Sequence, residues 1–337
     1  MRCLSPRKVA IGHDGRITFS TKNYNKEFAP FAIPCSKCIE CRLENARQWA
    51  IRSVHEAQMY ENNIFLTLTY NDENLPKKLE KRDFQLFMKS LRKKIFKDFL
   101  NSYGQENWKL LDKQEQKTLY NKIKIGVHYV GEYGEKTKRP HWHAIIFNYA
   151  PDDKTYKYST DSGDRVYKSE SIDTLWNKGH TEFGSVTFES AGYVSRYSAK
   201  KLVHGNDGQH DFNPVPGKSS HQAIGKKWLE KYYKDIFNYG QVILSNGQKC
   251  AIPRYYEKWL AKNHPSEFQD YVLKIKHERQ RNAEQKQQSD LEKEHETQTR
   301  RFHEGKSSNT YVNRQKARTT IINQKFNKLQ KHLKGDI

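Results

Sequence analysis

Arg139-Pro140-His141-Trp142-His143-Ala144-Ile145-Ile146-Phe147 is the stretch on which the fold turns. Aromatic and β-branched residues dominate it, and a proline stands at its start, where a missing ladder donor costs least, so it predicts a strand. A period of two puts His141, His143, Ile145 and Phe147 on one face and Trp142, Ala144 and Ile146 on the other. Both faces are apolar enough to be covered, which predicts a central strand. Two adjacent imidazoles on a covered face need hydrogen-bond partners or a ligand.

A carboxylate stands just upstream, in Ile125-Gly126-Val127-His128-Tyr129-Val130-Gly131-Glu132-Tyr133-Gly134. This also predicts a strand, ending in a turn through Gly134-Glu135-Lys136-Thr137-Lys138. Paired as a hairpin, the two strands bring Glu132 beside His141. Two neutral imidazoles and one carboxylate with positions left open form a divalent-metal site suited to polarising a phosphate oxygen. Glu135 is the alternative carboxylate; Glu132 is preferred because it falls on the strand.

Farther along, Phe188 to Leu202 lacks proline and predicts a helix opening near Glu189. At 3.6 residues per turn Tyr193, Tyr197, Lys200 and Lys201 share one stripe, so two phenol nucleophiles and two cations occupy the same surface. Taken by itself, such a stripe is also what two half-packed tyrosines on an amphipathic helix look like.

Glu132, the His141-Trp142-His143 triplet and the Tyr193/Tyr197 helix, in that order, resemble an HUH endonuclease. Phe65-Leu66-Thr67-Leu68-Thr69-Tyr70 is similar to the first motif of rolling-circle replication initiators. More narrowly, four stretches resemble replication-associated proteins of the Microviridae, the gokushovirus branch above all. They are Pro34 to Arg42, Leu66 to Glu73, Gly131 to Gly134 and Tyr193 to Tyr197, and the likeness runs to about residue 260.

The resemblance implies a phage replication initiator that nicks the origin of the double-stranded replicative form. His141, His143 and Glu132 would hold Mg²⁺ or Mn²⁺. Tyr193 and Tyr197 would attack in turn, assisted by Lys200, leaving a 5′-phosphotyrosine link and a 3′-OH primer and later closing the displaced strand into a circle. Arg196 stands where related initiators often carry lysine. Rival readings are a plasmid initiator, relaxase or transposase of the same chemistry, a hydrolase using water as nucleophile, and a zinc-stabilised nucleic-acid-binding protein without catalysis.

Composition fits a polyanionic partner. Lys and Arg outnumber Asp and Glu by 60 to 39 in 337 residues, a formal charge of +21, and 20 tyrosines among basic residues suit stacking on unpaired bases. Origin DNA is the expected partner. No ATP-binding loop of the GxxxxGK[ST] type occurs, so a host helicase and polymerase are expected as well. No apolar run approaches a membrane span and Met1 to Gly15 has no signal-peptide core, so the expected location is the cytoplasm of an infected bacterial host.

Cys35, Cys38 and Cys41 form a C-x2-C-x2-C run. In a cytosolic chain that spacing favours a metal over disulfides, with Cys3 as a fourth ligand for structural Zn²⁺; iron–sulfur ligation and plain reduced cysteines are the alternatives.

The element order predicts an α+β fold, a central antiparallel sheet with helices largely on one face. Residues 1–63 form a Cys-rich arm and helix, 64–260 the endonuclease domain and 261–337 a basic helical or disordered tail. Asp83 is the expected N-cap of a helix with Phe84, Phe87 and Leu91 inward. Residues 148–170 predict a loop over the site, and Gln241 to Ile252 a hairpin about Asn246-Gly247. His204, His210 and His221 fall in a second polar loop.

Overall fold

A computed structural model of the chain describes residues 3, 5–134, 137–200, 215–218, 223–306 and 317–325, with backbone alone at 197–200 and 287. The chain opens with β1 (Arg7–Ile11), β2 (Ile17–Thr18) and β3 (Phe31–Ile33), a small antiparallel sheet ordered β2-β1-β3. Then come α1 (Ile39–Ala57), β4 (Asn63–Thr69), α2 (Lys81–Tyr103), α3 (Gln105–Leu110), α4 (Lys113–Ile123), β5 (Gly126–Tyr133) and β6 (Pro140–Phe147). They are followed by β7 (Thr155–Ser159), β8 (Arg165–Lys168), α5 (Glu170–Trp176), β9 (Thr181–Gly184), α6 (Phe188–Lys200) and β10 (Val215–Lys218). The last part holds α7 (Lys226–Tyr239), β11 (Val242–Ile243), β12 (Lys249–Cys250), α8 (Arg254–Asn263), α9 (Pro265–Tyr271) and α10 (His277–His303).

Seven strands form the main sheet in the order β10-β5-β6-β4-β9-β8-β7, and every pairing is antiparallel. The α+β architecture is therefore as expected, with β4 in the middle of the sheet. The alternation of β6 also holds. Trp142, Ala144 and Ile146 join Leu66, Leu68, Phe84, Phe87 and Leu91 in one core, while Ile145 and Phe147 join another with Val130, Ala50, Ala191 and Val194.

Helices cover both faces rather than mainly one. α2 and α5 lie on the Trp142 side; α1 and α6 lie on the histidine side, packed against each other. The second face had to be covered because Val130, Ile145 and Phe147 on it are fully apolar and fully buried. Small residues at Ala50 and Ala191 let both helices approach it. A third core joins Ile51 of α1 to α7, α8 and the β11–β12 hairpin, whose turn at Gly247 has φ 76°. Glu56 and Arg52 fasten that part to α1: the Glu56 carboxylate accepts from the Gly225 N–H at 2.6 Å, and Arg52 Nε donates to the Ile224 carbonyl at 2.9 Å.

Two expectations about local structure change. Asp83 does not cap α2, which starts at Lys81. Its carboxylate is used elsewhere: Trp142 Nε1 donates to the Tyr70 hydroxyl at 3.1 Å, and Tyr70 donates to Asp83 at 3.0 Å. Lys178 approaches the other Asp83 oxygen at 3.3 Å. A buried indole N–H needs an acceptor, and this relay supplies one. Residues 148–170, expected as loop, contain the β7–β8 hairpin, which extends the sheet beyond β9. Thr155 to Ser159 are all exposed, so the hairpin carries no alternation of apolar and polar positions.

Gly131 lies across from Trp142 in the β5–β6 ladder, and a Cβ there would sit 2.5 Å from the indole ring. The residue before Glu132 is thus glycine because the Trp142 ring occupies the space. Gly131→Ala is expected to destabilise the protein by about 1–3 kcal/mol through forced repacking of Trp142. An unchanged urea midpoint would refute this reading of the contact.

Candidate metal centre and tyrosine helix

The β5–β6 register sets Glu132 directly opposite His141 and Val130 opposite His143. On the other side of β6, Thr67 of β4 pairs with His143. Glu132 Oε1 collects the cluster: His141 Nε2 lies 3.0 Å from it, His143 Nε2 3.1 Å and the Tyr193 hydroxyl 2.9 Å. Tyr193 also stands 3.4 Å from His143 Nε2 and meets that ring edge-on. Glu132 and His143 are buried; His141 keeps some exposure.

The outer nitrogens are held from behind. His141 Nδ1 lies 3.2 Å from the Arg139 carbonyl, which can only accept, so that nitrogen carries the proton. His143 Nδ1 bonds the Thr67 hydroxyl at 3.1 Å, and Phe65 stacks on its ring at 5.7 Å. Thr67 went unassigned on the sequence because β4 gave only an alternating strand; its partner lies 76 residues away. Orientation of ligand imidazoles by a hydroxyl or carbonyl is a common companion of metal sites.

Burial opposes ionisation of Glu132, but the two imidazoles facing it hold its carboxyl down at about 2. Burial also pushes His143 below the ordinary imidazole range, with Glu132 opposing. A neutral His141 presents a lone pair, not a donor, to the carboxylate 3.0 Å away. Two acceptors at that distance require a proton or a cation between them. Glu132 Oε2 is moreover buried and has no hydrogen-bond partner among the described residues. Ligands at about 2.1 Å from an octahedral ion stand about 3.0 Å apart when adjacent, which matches the measured separations. The donor set therefore fits a small divalent cation.

Tyr193 comes from α6, on the same face of the helix as the apolar row that fixes it to the sheet. Tyr197 and Lys200 lie on the last turn of α6, where only the backbone is described. Lys201, Glu135, His204, His210 and His221 lie outside the described residues. Beside the cluster a cleft runs between α6 and the β7–β8 hairpin, lined by Phe65, Tyr158, Arg165, Phe183, Tyr193 and Arg196. Sequence reasoning missed Tyr158 and Arg165, which reach the site only through the hairpin.

At the other end of α1 the structure brings Cys3, Cys35, Cys38 and Cys41 together, their sulfurs all within 4.8 Å of one another. Burial would raise the Cys35 thiol, yet N–H groups of Cys38 and Lys37 draw it down to about 6; burial and the neighbouring thiols push Cys41 up. Negative charge settles first on one sulfur and is then resisted at the next. Among the described residues, no helix is long and apolar enough to cross a membrane.

Comparison with known proteins fits this geometry. The family model for the replication-associated protein ORF2 matches residues 63–202, from β4 through the ion cluster and past α6. Replication-associated protein VP4 of Bdellovibrio phage phiMH2K is 44% identical over 336 residues, 99% of this chain and 100% of that protein. The chain belongs to the phage replication-associated proteins. Among other members, ORF2 of Spiroplasma virus 4 is 28% identical over 84% of this chain and 87% of its own length. ORF4 of Chlamydia phage 1 is 30% identical over 74% of this chain and 60% of its own. The expected kinship with Microviridae replication-associated proteins is thereby met. No solved structure matches this replication-associated protein significantly.

Proposed function

We propose that this protein initiates phage DNA replication as a metal-dependent tyrosine endonuclease acting on the origin strand. The observation that carries the reading is the convergence of His141, His143 and the Tyr193 hydroxyl on one carboxylate oxygen of Glu132. A nucleophile, two ligand imidazoles and a ligand carboxylate occupy one small volume.

His141, His143 and Glu132 would hold Mg²⁺ or Mn²⁺, the two imidazoles favouring Mn²⁺. The bound ion supplies positive charge against a non-bridging oxygen of the scissile phosphate. Glu132 keeps Tyr193 aimed at the same place. The Tyr193 oxygen attacks phosphorus, an O–P bond forms and the bond to the 3′ oxygen breaks. The phenol proton passes to solvent, and the departing oxygen takes one up to become the 3′-OH. The 5′ side remains as a phosphotyrosine ester, which conserves the bond for later rejoining without ATP. Tyr197, one turn farther along α6, serves as the second nucleophile, with Lys200 stabilising negative charge on the reacting oxygens.

The aromatic cleft between α6 and the hairpin suits unpaired bases, and the +21 charge suits their phosphates. The partners would be origin DNA with host helicase and polymerase, and the site of action the host cytoplasm.

The test is a labelled single strand carrying the origin, incubated with Mn²⁺ and run on a denaturing gel. A protein–DNA adduct is expected for the wild type and none for the Tyr193→Phe/Tyr197→Phe double variant. Cleavage that persists in the double variant would assign the nucleophile to water. Strands that bind but are neither cut nor linked would leave a nucleic-acid-binding protein.

A further inference from the structure

The four N-terminal cysteines take no part in this chemistry, and their geometry calls for its own explanation. Cys3 and Cys38 sulfurs stand 3.8 Å apart and those of Cys35 and Cys41 4.0 Å, far longer than a disulfide. Four thiolates at about 2.3 Å from a tetrahedral ion stand about 3.8 Å apart. Backbone amides are turned toward the sulfurs: the N–H groups of Lys37 and Cys38 point at Cys35 Sγ at 3.4 and 3.2 Å, and that of Cys35 at Cys3 Sγ at 3.2 Å. Ser36, with φ at 61°, makes the left-handed turn that aims them. Amide donors stabilise sulfur that carries negative charge, as metal-bound thiolate does.

We infer that Cys3, Cys35, Cys38 and Cys41 form a closed tetrahedral site for one structural Zn²⁺, separate from the catalytic ion. All four positions are filled by sulfur, so no place remains for water or substrate, which marks a structural rather than a catalytic zinc. The site joins three pieces of chain: the segment before β1, the turn after β3, and the first turn of α1, where Cys38 is the N-cap. No side-chain cap hydrogen bond is present at that helix end. The metal therefore fixes the start of α1, whose later turns pack on α6, the helix of Tyr193. Thiolates and a borderline-soft ion also keep the two metals apart, since a carboxylate–imidazole site prefers harder cations.

The test is metal analysis of the full chain purified without chelator, alongside Cys38→Ser/Cys41→Ser and His141→Ala/His143→Ala variants. About one zinc per chain is expected in the wild type and the histidine variant, and under about a tenth in the cysteine variant. Should the cysteine variant not fold, a strong chelator added to the wild type is expected to lower the melting temperature, with recovery by Zn²⁺ and not by Mg²⁺. Iron with visible charge-transfer absorption would overturn the assignment, as would disulfides by mass, zinc that follows the histidines, or a melting temperature indifferent to chelation. Because zinc content is read without DNA, the result stands whether or not the strand is cut.

Discussion

His143→Ala is expected to lower origin-strand cleavage about 10³-fold, the scale on which removal of one group stabilising transition-state charge is felt. The residue does three things at once. Its Nε2 lies 3.1 Å from Glu132, its Nδ1 is fixed by Thr67, and its ring edge meets Tyr193. Its loss thus removes an ion ligand and loosens the nucleophile. Thr67→Val separates the two, because it removes the orienting hydroxyl and leaves every ligand in place. A reduction of about 10- to 100-fold, partly recovered at high Mn²⁺, is expected there. Cleavage by His143→Ala at the wild-type rate, on strands shown to bind, would remove the imidazole from the mechanism.

Acidification is expected to unfold the protein well above the pH at which ordinary carboxylates protonate. His55 is buried, stacked on Trp228 at 3.5 Å and bonded to the Tyr256 hydroxyl at 2.9 Å, and burial pushes it down to about 3. His128 is buried against Ser53 at 3.0 Å; burial first, then the Lys218 and Arg52 charges, push it down to about 3 as well. In the unfolded chain both titrate near 6.5. Between those values the unfolded state binds protons that the native state refuses, so stability falls as pH drops from about 6.5 toward 3. Each group contributes up to about 1 kcal/mol per pH unit over that window. Melting temperatures measured from pH 7 to pH 5 should fall steadily, and less steeply for His128→Gln. A flat profile over that range would mean that neither imidazole is held neutral.

How much of this was legible in the sequence depends on distance along the chain. The β5–β6 hairpin was, because the two strands are separated by a short turn and period two fixes which residues meet. Glu132 beside His141 follows from that alone. The cysteines were legible for the same reason: three fall within one turn. Thr67 was not, since its role depends on β4 pairing with β6 across a long gap, and an alternating strand does not name its neighbour. The β7–β8 hairpin was hidden because both of its faces meet solvent, leaving no burial pattern to read. The double helical cover follows from Ile145 and Phe147, but Ala50 and Ala191, which take up that face, carry no signal beyond being small.

The most direct test of the central claim is the identity of the residue that holds DNA after cleavage. Trypsin cuts after Arg196, so Tyr193 and Tyr197 fall in different peptides, 179–196 and 197–200. The wild-type adduct from a single first cut, trimmed with nuclease and digested, would be read by mass spectrometry. The account predicts a nucleotide on peptide 179–196, at the tyrosine that Glu132 holds beside the two histidines. Cleaved DNA with both peptides unmodified, or with the nucleotide confined to 197–200, would contradict it.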